Sequence, residues 1–181
     1  MSHVLVGARV LIGLVFVVSA FTKLRAFAAF RASVTGMRVV PPSLTGPVAV
    51  VVVAAETAIP VLLLAPGTPA AGFVVAVLLL LAFSAGIARV LTAGTTASCR
   101  CFGVSAAPFG RHHLYRNGVL AVAAVAGLVA AVLPTGAGAG GPAPGAGPAG
   151  DAIAAGVAAV AALAVIMLDE IVGLFRAPLP R

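Results

Sequence analysis

The chain has 181 residues, of which 62% are apolar and only 8% charged, with a formal net charge of +7 and a mean hydropathy of +1.21. About a quarter of the residues in a soluble domain are charged, so a soluble fold of this length could not cover its surface with so few. The composition excludes a soluble globular enzyme, a disordered chain and a disulfide-dense secreted domain, and it points to an integral membrane protein.

A membrane helix needs about 17–25 apolar residues, and five segments approach that length: Val4–Phe21, Pro47–Ala65, Ala71–Leu91, Asn117–Leu133 and Ala152–Leu168. Lys23, Arg25 and Arg31 follow the first segment at once, and further spans come after it. It therefore reads as a retained helix rather than a cleaved signal. Near its end Ser19 and Thr22 can bond to carbonyls of their own helix, and Lys23 can snorkel to the interface. Pro66-Gly67-Thr68-Pro69 separates the second and third spans as a tight, uncharged turn, which predicts an antiparallel helical hairpin. Pro134–Gly150 is built almost wholly of Gly, Pro and Ala and reads as a flexible tether. The expected architecture is all-α. A polytopic membrane four-helix bundle occupies residues 1–133, a linker 134–150, and an additional transmembrane helix with a basic tail 151–181.

The basic residues fall at the ends of apolar runs with no interleaved aromatics, so anionic lipid headgroups suit them better than nucleic acid. Lys23, Arg25, Arg31 and Arg38 lie in the first loop, Arg89, Arg100, Arg111 and Arg116 in or beside the third, and Arg176 and Arg181 in the tail. Only Arg9 remains for the opposite side, so the positive-inside rule places the N-terminus outside and the third loop in the cytosol.

That third loop carries both cysteines: Ser98-Cys99-Arg100-Cys101-Phe102-Gly103, followed by Arg111-His112-His113-Leu114-Tyr115-Arg116-Asn117. Two cysteines cannot build a structural framework, but two separated by one residue make a site candidate. Nearby positive charge lowers a thiol pKa, and Arg100 stands between the pair while Arg111 and His112 are within reach of folding back. A Cys-x-Cys disulfide closes a small strained ring, and strain makes a disulfide more oxidising. Such a pair suits electron relay or thiol exchange. Cys99, Cys101 and either His112 or His113 also form a candidate zinc or copper set, although adjacent helical histidines point about 100° apart and the spacing matches no established module. A third reading has two small buried side chains in a lipid-binding loop.

Glu56 lies inside the second span, where a carboxylate costs about 2.5–3.5 kcal/mol and needs a partner or a task. Counting at about 1.5 Å per residue from a shared start of the two helices at Thr22 and Thr45 brings Arg9 to similar depth, which predicts an Arg9–Glu56 ion pair. Pro60 frees the Glu56 carbonyl and kinks the helix. The pair either sets helix register or gives Glu56 the proton of a two-electron reaction. Asn117 either bonds to the cysteine loop or caps the fourth helix.

Together, Ser19-Ala20-Phe21-Thr22-Lys23-Leu24, mid-membrane Glu56, Cys99-Arg100-Cys101-Phe102-Gly103 and Arg116-Asn117 resemble the MauE family, methylamine-utilisation membrane proteins related to the DoxX group. The resemblance covers about residues 4–133, and Arg100 stands where the family commonly has Gly. It implies a helical bundle that helps mature the disulfide-rich small subunit of methylamine dehydrogenase with a thioredoxin-like partner. It also implies an architecture similar to the vitamin K epoxide reductase bundle, in which thiols exchange electrons with a quinone. By that resemblance Cys99 and Cys101 would be the redox pair. With the reading of the spans above, the candidate catalytic residues are Cys99, Cys101 and Glu56, and Arg9, Lys23, Arg100, Arg111, His112, Arg116 and Asn117 are candidate supporting residues. Bacterial disulfide formation belongs outside the cytoplasm, so the resemblance and the charge count place the cysteines on opposite faces. Two other classes are a metal-binding or transport protein using the same loop, and a non-catalytic membrane scaffold.

Overall fold

The computed structural model describes residues 3–93, 111–133 and 147–176, without the side chains of Arg111 and of 168–176. Among these residues the chain is all-α. The helices are α1 (His3–Arg25), α2 (Phe27–Gly36), α3 (Thr45–Leu64), α4 (Pro69–Thr92), α5 (Arg111–Val132) and α6 (Pro148–Arg176), with one 3-10 turn at Pro42–Leu44. Five of the helical stretches are long and apolar enough to cross a membrane. Their outer faces expose large apolar side chains all round, including Val17, Phe21, Val51, Leu64, Leu78, Val122 and Val157. A soluble monomer does not carry so continuous an apolar surface. The expected linker lies largely outside the described residues, and α6 is already helical at Pro148.

Apolar burial gives no net driving force between helices in lipid, so close packing must hold the bundle together. The interior joins Ile12, Val15 and Phe16 of α1, Ile59 and Leu63 of α3, Phe73 and Leu80 of α4, Leu120 and Ala124 of α5, and Ala162 of α6. A Cβ placed on Gly127 would overlap the Phe73 ring and lie 2.7 Å from Ala8 Cβ, so α1, α4 and α5 meet closely at this glycine. α6 lies along α1, with Ala158 and Ala162 buried and His3 Nδ1 3.0 Å from Asp151 Oδ1 where both helices begin.

The α3–α4 connection is the expected tight turn. Gly67 supplies φ +79°, which side chains disfavour, and Pro69 opens α4 where its missing N–H costs nothing. The last carbonyls of α3 have no helical donor. Arg9 Nε donates to Leu63 O at 2.7 Å, and Thr68 Oγ1 donates to Leu62 O at 2.8 Å. Arg9 therefore caps a helix end, where a cation is also favoured by the helix dipole. Arg9→Met is expected to lower stability by about 1.5–3 kcal/mol, the usual worth of a hydrogen bond to a charged group. Equilibrium unfolding in mixed micelles measures this, and an unchanged midpoint would remove the capping role.

The first loop contains structure that apolar run-length does not predict. α2 buries Phe30 and Val34, one turn apart, against Ala49 and Val53 of α3. The first turns of α3 thus pack on α2, beyond the end of α1. This corrects the register taken from a shared start. Ser19, not Arg9, stands level with Glu56, and Arg9 is about 15 Å away along α1 at 1.5 Å per residue. The expected Arg9–Glu56 pair does not form.

Candidate functional site

Glu56 pairs instead with Lys23. Lys23 Nζ lies 2.6 Å from Glu56 Oε1, and both side chains are wholly inaccessible. Lys23 Nζ also donates to Ser19 Oγ at 2.7 Å, and Ser19 Oγ donates to Glu56 Oε1 at 2.9 Å. The triangle follows from spacing. Ser19 and Lys23 are four residues apart on α1, hence on one face, and the lysine stem is long enough to reach back across α3. Lys23 therefore does not snorkel to the interface. Its ammonium sits 5.3 Å from the ring centres of both Phe30 of α2 and Phe83 of α4, a two-sided cation–π contact inside the bundle.

Glu56 Oε2 is buried and has no hydrogen-bond partner among the described residues. Pro60 has no N–H to offer the Glu56 carbonyl one turn back, so α3 is short of a backbone bond at the same level. Such local deficits are costly in a low dielectric, and they concentrate where a polar group has a task.

α5 begins at Arg111, before the apolar run, because its first turns carry an interior polar face. His113, Arg116 and Asn117 are buried, and they continue along the same face into Leu120 and Ala124. Arg116 lies within electrostatic reach of Lys23. Asn117 Oδ1 is buried without a hydrogen-bond partner among the described residues. His112 is half-buried, with its ring centre 4.0 Å from that of His113. Among the described buried side chains, two cations, Lys23 and Arg116, stand against one carboxylate, Glu56.

Of the residues singled out from the sequence, the fold brings Lys23, Glu56, Arg116 and Asn117 to one end of the bundle. Arg9 lies elsewhere, at the end of α3. Cys99, Arg100 and Cys101 lie outside the described residues, as does the side chain of Arg111. The described residues stop at Ala93 and resume at Arg111, the first residue of α5. Ser19, Phe30 and Phe83 complete the cluster around Lys23, and His113 is buried on the same face of α5 as Arg116 and Asn117. The four-residue step from Ser19 to Lys23 and the i, i+3, i+4 stripe of His113, Arg116 and Asn117 are the sequence signals for it.

The profile of a family described as Methylamine utilisation protein MauE matches residues 1–130. No curated protein and no solved structure matches the chain.

Proposed function

The chain belongs to the MauE family of methylamine utilisation proteins, and from that premise we propose that it is a thiol-redox protein of the bacterial cell membrane. Cys99 and Cys101 exchange a disulfide with a thioredoxin-like partner, which serves the maturation of methylamine dehydrogenase or another disulfide-containing protein. The observation that carries this reading is the buried Lys23–Glu56–Ser19 triangle, with Arg116, at the bundle end where the cysteine segment joins α5.

The chemistry balances without a further reactant. A partner thiolate attacks one sulfur of the Cys99–Cys101 disulfide and forms a mixed disulfide. The partner's second thiolate then displaces that cysteine. Two electrons and two protons pass from the partner dithiol to the pair, and the reverse sequence returns them. Thiolates are the attacking and leaving species, and fixed cations nearby favour them. Among the described buried side chains Lys23 and Arg116 are the cations at that end and Glu56 is the carboxylate, a group able to take up and return a proton.

Single Cys99→Ser and Cys101→Ser variants test the exchange. One of them is expected to accumulate a mixed disulfide with the thioredoxin-like partner, trapped by acid quench and alkylation. The double variant is expected to trap none and to lose maturation of the target. A wild-type chain whose thiols stay reduced throughout and trap no partner would sink the reading.

A further inference from the structure

Behind the site, α2, α3, α4 and the strap that follows α2 line a partly open apolar cavity of about 250 Å³. Phe30, Val34, Val52 and Phe83 line it from the helices, and Met37, Val39 and Val40 from the strap. An engineered apolar cavity of about 150 Å³ already takes up benzene, so this one has room for a stretch of one hydrocarbon chain. On the outer side of the strap is a more polar recess of about 530 Å³, lined by Thr35, Arg38, Pro41, Pro42 and Thr45. Val39 and Val40 line both spaces, so the two meet at the strap.

Arg38 is the one charged residue among the described residues that line the recess, and its backbone is out of the ordinary. It follows the C-cap of α2 with φ +52°, the left-handed position that glycine usually takes. Gly36, two residues earlier, lies within the helix instead. A non-glycine residue here costs stability, and such a cost persists where the side chain has a use. Arg38 lies just before the α3 span, at the level of lipid headgroups, and presents a guanidinium suited to bidentate contact with phosphate.

We infer that the cavity and recess together form a binding site for one anionic phospholipid, with its phosphate on Arg38 and part of one acyl chain behind the strap. Charge and shape select this occupant: a cation at the mouth, an apolar interior, and room for one chain rather than two. Phe30 and Phe83 give the site a path to the ion pair, because each ring forms a cavity wall on one side and meets Lys23 on the other. The inference does not depend on the thiol chemistry.

The test uses the purified full chain in a non-ionic detergent, with native mass spectrometry to read bound lipid. The wild type is expected to retain phosphatidylglycerol in preference to phosphatidylcholine. Arg38→Gly keeps the left-handed backbone without strain. It is expected to raise the melting temperature of the delipidated protein while weakening phosphatidylglycerol about fivefold, the worth of one basic residue at a lipid surface. Gly86→Leu, at a cavity-lining position with open space beyond the backbone, is expected to exclude the chain. Equal retention of the two lipids, unchanged retention in both variants, or no retained lipid would overturn the proposal. So would equal stabilisation by inorganic phosphate alone, which would reduce the site to an anion subsite.

Discussion

Lys23→Met is expected to destabilise the bundle by about 3–5 kcal/mol, because it leaves the fully buried Glu56 carboxylate without its cation. The methionine fills nearly the same volume, so the loss reads charge rather than packing. Removing both charges, as Lys23→Met with Glu56→Leu, is expected to restore most of the stability, since an apolar pair avoids the desolvation that the ion pair must offset. Unfolding of the two single variants and the double variant in mixed micelles gives the coupling energy directly. Simply additive losses would mean that the two groups do not act as a pair. Glu56→Gln keeps the shape but strands the Lys23 ammonium, so it is expected to lose stability on the scale of Lys23→Met. If the carboxylate handles protons, the folded fraction of this variant also exchanges disulfides more slowly than the wild type. Unchanged exchange would leave the pair with a purely structural role.

Gly127→Ala is the second large effect. Its new methyl group would overlap the Phe73 ring, in a core where Phe73 is fully buried and Ala8 lies close by. Overpacking of this kind costs about 1–3 kcal/mol. Shortening the opposing ring, as in Phe73→Leu, is expected to recover part of that in the Gly127→Ala background while destabilising the wild type. A neutral Gly127→Ala, or a double variant worse than both singles, would show that the three helices do not meet as closely as described.

The membrane class and the long helices were legible because span length and apolarity are coarse signals that lipid imposes on any such chain. The tight α3–α4 turn was legible for a related reason, since Pro66-Gly67-Thr68-Pro69 leaves few other conformations. α2 was not, because ten residues with only Phe30 and Val34 buried make a weak periodic signal. That omission carried into the site. With α2 unaccounted for, α3 is taken to start level with the end of α1, and Arg9 falls opposite Glu56 in place of Ser19 and Lys23. The polar start of α5 escaped for a different reason: Arg116 and Asn117 read as loop or cap by hydropathy, yet they lie on the interior face. Buried charges in lipid are placed by tertiary partners that a local pattern does not contain.

The bond between Lys23 and Glu56 also constrains biogenesis. Its two halves belong to the first and second long helices, α1 and α3, so a nascent chain that has delivered only α1 to the bilayer holds an ammonium with no counter-charge. Neutralisation waits until Glu56 has left the ribosome and α3 has turned back beside α1. The smallest insertion unit that satisfies its own charges is therefore the stretch through α3, which favours joint partitioning of these helices from the translocon over release one at a time.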